Sequence, residues 1–290
     1  MRKTAILTLV AAALLASACS KEHSNALVPV NVNVDDFAIS QCEFLSKDAS
    51  SVANYTNVNA ITLAFFDENG DQTYSTTQLR ADATTYETFG SFSLTLPIGT
   101  YTMEVLGYAN EQPATCNSMT EWVFTPDKVR ETFVGSQTVT ISNTANSVDI
   151  SATLDRVVCR LEIFTTDPVP EDVKSVRITY AAGGSGINPV TGLSSTNAGC
   201  TYLIENPATT SEGISKFRSH QFLATDQQTM NVTLDALDRE GNSVSHKVVN
   251  NVPFQRNKVT QLRGALYSAG VSGSFTVNTS WIGDTNIVNF

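Results

Sequence analysis

The chain has 290 residues, of which 41% are hydrophobic and only 16% charged, with a net charge of −10. Its few basic residues form no cluster, which excludes a nucleic-acid partner held by phosphate neutralisation. Length alone predicts about two domains, and abundant Ser, Thr, Asn and Val predict β-sheet, where branched residues pack on the pleat and Asn and Gly serve the turns.

Arg2 and Lys3 precede a short apolar run, Ala5 to Ala16, and small residues then lead to Cys19. The run falls short of the ~20 residues that a bilayer core requires, so residues 1–18 read as a secretory leader, not a spanning helix. Ala16-Ser17-Ala18-Cys19 has the form of a lipobox, with Ala16 in the place of the usual leucine. Cys19 is then the lipid attachment site and the first mature residue, with residues 19–26 as a tether. The alternative is an ordinary A-x-A cleavage with an incidental cysteine. Each buried acyl CH₂ contributes ~0.8 kcal/mol, so two or three chains hold a protein firmly at a membrane. Without Arg2 and Lys3 the chain has 16 basic residues against 28 acidic, a net −12.

Val28, Val30, Val32 and Val34 alternate with Pro29, Asn31 and Asn33, a strict period of two that predicts a half-buried strand. Ala60–Phe66 is the next predicted strand, closed by a turn at Asp67-Glu68-Asn69-Gly70-Asp71. That turn does not match a calcium loop, because its glycine comes too early and no glutamate closes it. Ser91–Leu96 and Thr100–Tyr108 are predicted as a strand and its return around Pro97-Ile98-Gly99. Further strands are predicted at 121–124, 137–141 and 148–152.

A second unit opens with one long strand, Leu154–Phe164, broken at Asp167-Pro168-Val169-Pro170. Val173–Tyr180 follows. Gly183-Gly184-Ser185-Gly186 lacks the Lys-Ser/Thr and helix of a phosphate loop and reads as a flexible loop. Strands are expected at 217–223, 229–237 and 243–249, with a hairpin turn at Asp238–Asn242, and then at 257–267, 273–281 and 286–290. Turn signals spaced at 8–12 residues fit two β-sandwiches, 27–152 and 153–290, with no obvious register shared between the halves.

Apart from Cys19, Cys42, Cys116, Cys159 and Cys200 remain. An even number permits two disulfides in three connectivities, and pairing within each half would join Cys42 to Cys116 and Cys159 to Cys200. Alternation places Cys159 with Val157 and Leu161, opposite Arg156 and Arg160, which favours a buried thiol. No catalytic, metal or cofactor site emerges. His23, His220 and His246 lack ligand spacing, and neither a G-x-S-x-G elbow nor an S-x-x-K nucleophile is present. Trp122 and Trp281 could offer sugar platforms, but strand tryptophans are more often core.

Taken in order, several segments resemble the Bacteroidales fimbrillin superfamily, the FimA/FimB-like proteins of type V fimbriae. They are the lipobox at Cys19, Val28–Val34, Phe65-Phe66-Asp67, Leu96-Pro97-Ile98-Gly99-Thr100-Tyr101-Thr102 and Thr125–Thr140. The second half adds Leu154–Leu161, Tyr180-Ala181-Ala182-Gly183-Gly184 and Val252–Thr260. The cover is about residues 27–281, and Ser20-Lys21-Glu22-His23 resembles a thin surface-export signal.

The resemblance implies two tandem transthyretin-like antiparallel β-sandwich domains after a lipoprotein signal peptide. It implies a non-enzymatic fimbrial subunit that joins neighbouring subunits by β-strand exchange at a sheet edge. It also implies an outer-membrane, surface-exposed location and a host protein or glycan as adhesion ligand. In polymerising members a protease cuts after an arginine behind the first strand. Here no arginine lies between Arg2 and Arg80, and Lys47 is the only basic residue in that loop, so the expectation is an anchor or accessory subunit that keeps its lipid. Gly273–Phe290 is either a donated strand or, preferably, the last strand of its own sandwich. The rival expectation is a surface glycan-binding lipoprotein of a polysaccharide-uptake system.

Overall fold

The valine alternation near the start of the chain does form a strand, and that strand lies inside a sheet. In a computed structural model, residues 26–38, 52, 55–124, 128–142, 146–268 and 276–278 are described. The first strands are β1 (Leu27–Ala38), β2 (Ala60–Phe66), β3 (Gln72–Leu79), β4 (Ser91–Pro97) and β5 (Gly99–Tyr108). They are followed by β6 (Thr115–Ser118), β7 (Glu121–Val123), β8 (Thr132–Ile141) and β9 (Val148–Arg156). The later strands are β10 (Val158–Pro168), β11 (Ser175–Tyr180), β12 (Ile187–Asn188), β13 (Leu193–Ser194) and β14 (Cys200–Glu205). Then come β15 (Ile214–Phe222), β16 (Gln227–Leu237), β17 (Ser243–Gln255), β18 (Val259–Gly264) and β19 (Thr276–Asn278). The described residues contain no helix, so the all-β expectation holds.

Seven strands form one sheet in the order β3-β2-β5-β8-β9-β1-β4. Only Phe133–Arg156 and Val134–Asp155 join β8 to β9. The sheet therefore folds at that seam, and its two arms close over one core in which Val30 and Val32 meet Leu63, Phe65, Val105 and Phe133. In the second half, β14-β11-β16-β17 and β15-β10-β18-β19 enclose a separate core around Leu161, Ile178, Val232 and Phe254. A small sheet, β13-β12-β7-β6, takes strands from both halves.

The two halves repeat one topology. β1 pairs antiparallel with β4 and parallel with β9, and β10 pairs antiparallel with β15 and parallel with β18. The facing layers also correspond, β3-β2-β5-β8 against β14-β11-β16-β17. β6 and β7 are inserted at one point of this plan and β12 and β13 at another, which is why the sequence shows no common register.

Three expectations are corrected. Ser91–Leu96 and Thr100–Tyr108 are not hairpin partners, because β4 pairs with β1 while β5 pairs with β2 and β8. Pro97-Ile98-Gly99 is an arch between the two arms, held by the Tyr101 hydroxyl, which donates to the Pro97 carbonyl at 2.9 Å. The single strand expected over Leu154–Phe164 is broken at Val157, whose N–H donates to the Thr132 carbonyl at 3.1 Å. Alternation does not reveal the break, since Val157 and Val158 are both buried. Finally, Gly183–Gly186 is pinned rather than loose: Gly184 and Phe222 exchange both backbone hydrogen bonds, at 3.0 and 3.2 Å.

A third apolar cluster, including Phe66, Tyr108, Trp122, Val134, Val157 and Phe222, spans both halves. Beside it, Arg156 is 2% exposed and its Nε lies 2.9 Å from Glu131 Oε1. The Arg156 guanidinium also donates to the Tyr55 hydroxyl at 3.1 Å and to Asn257 Oδ1 at 3.3 Å. Asn257 sits in the turn before β18, so one buried guanidinium links segments from both halves.

Candidate functional site

Strand β1 is hydrogen-bonded on both sides, to β4 and to β9. Its register runs from Leu27 opposite Pro97 to Asn33 opposite Ser91 on one side, and from Val30 opposite Val148 to Ala38 opposite Asp155 on the other. Val28, Val30, Val32 and Val34 are 0–6% exposed. Full burial of such a side chain contributes ~1.5–3 kcal/mol, so β1 is a structural member of its sandwich. At the solvent face, Asn31 bridges both neighbours, donating to Asp149 Oδ1 at 2.8 Å and accepting from Ser93 Oγ at 3.2 Å.

The C-terminal strand is held differently. β19 pairs with β18 over three positions, Gln261–Asn278, Leu262–Val277 and Arg263–Thr276. The chain leading towards it is clamped by Asp167, 8% exposed, whose carboxylate accepts from the N–H groups of Leu266, Tyr267 and Ser268 at 2.7–2.8 Å. The Ser268 hydroxyl adds a fourth bond at 2.9 Å.

A cleft of about 360 Å³ lies between the halves. Arg160 stands opposite His220, and Glu162 opposite Arg218, on one face of the β10–β15 ladder. These four share the face turned away from the core because Cys159, Leu161 and Phe217 alternate into the core beneath. Arg130 and Glu131 approach from the segment before β8, and Asn57 and Asn59 from the segment before β2. Burial and the nearby guanidinium groups of Arg160, Arg218, Arg156 and Arg130 push His220 down to about 3, so its imidazole is neutral. The two carboxylates are already engaged. Glu162 lies 2.9 Å from Arg160 and accepts from Gln261 at 3.0 Å. Glu131 pairs with Arg156 and accepts from Tyr55 at 2.7 Å. The cleft did not emerge from the sequence, because its arginines are spread over nearly ninety positions and only the i, i+2 placement of Arg160–Glu162 and Arg218–His220 hints at shared faces.

Cys19, Cys42, Lys47, His23 and Trp281 lie outside the described residues. Cys159 and Cys200 form no disulfide, although both sulfurs lie against Gln221, at 3.7 and 3.8 Å. Burial pushes the Cys159 thiol well up and the Cys116 thiol to about 11, aided in each case by a neighbouring group, so neither is an activated nucleophile. Trp122 is 1% exposed, and its indole N–H is spent on Glu104, so it offers no sugar platform. His246 pairs with Asp235 at 2.6 Å, on a different strand from His220. The described residues contain no group of three or more potential metal ligands and no helix long and apolar enough to cross a membrane.

This architecture is shared with solved proteins of Bacteroidales. A candidate adhesin from Bacteroides ovatus superposes with a TM-score of 0.57 at 10% identity, over 90% of this chain and 97% of that one. The fimbrial anchor protein Mfa2 from Porphyromonas gingivalis superposes with a TM-score of 0.52 at 10% identity, over 89% and 99% of the two chains. The resemblance seen in the sequence therefore holds at the level of fold. No curated protein sequence matches the chain significantly. The chain belongs to a family of unknown function, DUF6562, whose model matches residues 46–289.

Proposed function

We propose that the protein is a non-enzymatic surface subunit of a fimbria, lipid-anchored through Cys19, serving as anchor or accessory rather than as a processed stalk subunit. The observation that carries this reading is the seating of β1. It is hydrogen-bonded on both sides, it fills the core with four valines, and no arginine lies between Arg2 and Arg80 to direct its removal. The equivalent strand of the second half, β10, lies deep in the chain and cannot be shed, which supports β1 as a permanent part of the same plan. The shared fold with a fimbrial anchor and a candidate adhesin points the same way.

On this reading, two sandwich units divide at Val157, between β9 and β10, a few residues beyond the boundary expected at 152 because β9 stays paired with β1 as far as Asp155. The lipid on Cys19 holds the tether at the outer membrane, and neighbouring fimbrial subunits join by strand pairing at a free edge. Lys47 is the candidate processing position that the anchor form leaves uncut. The burial of Trp122 removes one of two aromatic platforms from the rival glycan-uptake reading.

The test is the N-terminus and lipid status of protein recovered from cells. Fatty-acid labelling that requires Cys19 and is blocked by globomycin, with residues 27–38 still present, is the expected result. An unlipidated mature chain that begins near residue 48 would overturn the anchor assignment.

A further inference from the structure

We infer that the cleft between the two halves is a binding site for an acidic sugar, a monosaccharide unit bearing a carboxylate. The inference stands on the cleft itself and holds whether or not the protein sits in a fimbria.

The charge argument comes first. Three guanidinium groups, from Arg130, Arg160 and Arg218, line the cleft with His220, and that of Arg156 lies behind it on Glu131, in a chain whose net charge is −10. Two are matched by carboxylates, Arg156 by Glu131 and Arg160 by Glu162. The side chains of Arg130 and Arg218 are exposed and have no hydrogen-bond or carboxylate partner among the described residues. A cleft that keeps two unmatched guanidinium groups on an otherwise acidic protein is set for an anion, and a guanidinium fork suits a carboxylate in bidentate geometry.

The lining then selects among anions. Asn59 commits its amide nitrogen to the Ala109 carbonyl at 3.0 Å, and Asn57 commits its own to Glu131 Oε2 at 3.4 Å. Their carboxamide oxygens remain as acceptors beside the arginine donors. A ligand that suits this set carries an anionic group for the arginines and hydroxyl donors for the amides, which is the chemistry of a sugar acid. Sulfate offers only the anion. A peptide terminus gains from an apolar seat for its side chains, and the lining offers only Ala109 and the Tyr202 ring. The volume of about 360 Å³ is at the small end of ligand pockets and suits a single sugar unit.

Isothermal titration of the full-length protein with N-acetylneuraminic acid and with glucuronic acid tests this, with N-acetylglucosamine and sodium sulfate as comparison ligands. Saturable binding of at least one acidic sugar is expected, weakened about tenfold by Arg218→Ala or Arg130→Ala and further by the double variant. Both side chains are exposed, so the variants should keep the wild-type circular dichroism spectrum and melting temperature. Equal binding of the neutral sugar, equal binding of sulfate, displacement of both sugars by an acidic peptide, or unchanged affinity in correctly folded double variant would each overturn the inference.

Discussion

The indole N–H of Trp122 donates to Glu104 Oε2 at 2.8 Å within the apolar cluster that joins the two halves of the molecule. Glu104 is fully buried, and its other oxygen has no hydrogen-bond partner. Burial raises its carboxyl from the ordinary 4.5 to about 8, against a smaller opposing effect of the indole bond. The acid is therefore neutral in the folded protein at pH 7, at the junction that carries both chain halves.

Stability should consequently fall as pH rises from about 4.5 to about 8. Below that window both folded and unfolded states keep the proton. Within it only the unfolded chain ionises, so folding opposes ionisation, at up to about 1.4 kcal/mol per pH unit. Above it the loss is complete. Glu104→Gln keeps an acceptor for Trp122 and removes the titration. Calorimetric melting from pH 4 to 9 should show a decline in the wild type and a flatter profile in the variant, and identical slopes would refute the assignment.

Arg156 and Glu131 form a buried pair, so breaking either side leaves an uncompensated charge. Arg156→Ala and Glu131→Ala should each destabilise by about 3–5 kcal/mol in urea titrations. The double variant should cost clearly less than the sum, because both substitutions remove the same pair. Arg156→Lys should not restore stability, since an ammonium cannot reach Glu131, Tyr55 and Asn257 together.

β1 offers an internal control. Val32 is fully buried and Asn33 exposed on adjacent positions of one strand. Val32→Asp places an unpaired charge in the core and should cost several kcal/mol, with residues 27–38 becoming open to limited proteolysis. Asn33→Asp should change stability by less than about 0.5 kcal/mol. Equal protease resistance of the two variants would show that β1 does not complete the sandwich.

Asp167→Ala removes the acceptor for three backbone N–H groups and the Ser268 hydroxyl. At about 1–3 kcal/mol for buried donors left unsatisfied, the variant should lose hydrogen-exchange protection at 266–268 and at β19 ahead of global unfolding. Unchanged local protection would mean that the C-terminal segment is held by other contacts.

Strands whose one face enters a core were legible in the sequence. Val28–Val34 and Ala60–Phe66 announce themselves because alternation or a continuous apolar run is imposed by burial. β3 (Gln72–Leu79) and β14 (Cys200–Glu205) were not, because each lies at the edge of its sheet, where β3 is largely polar and β14 buries only Tyr202 fully. The Asn69-Gly70 turn was legible for a local reason: Gly70 has φ of +83°, and the Asp67 carboxylate accepts from the N–H groups of Asn69 and Asp71.

By itself the sequence determined the β-character, the strands that bury a face, the turns that need glycine, and the placement of Cys159 in a core. Each depends on a residue and its near neighbours. Only the tertiary structure decided that Pro97-Ile98-Gly99 crosses between layers, that Val157 divides two strands, that both halves share one topology, and that Arg130, Arg160 and Arg218 meet in one cleft. Strand pairing and charge convergence are set by contacts between residues far apart in the chain. Periodicity reports which face of a strand is buried, not which strand lies beside it.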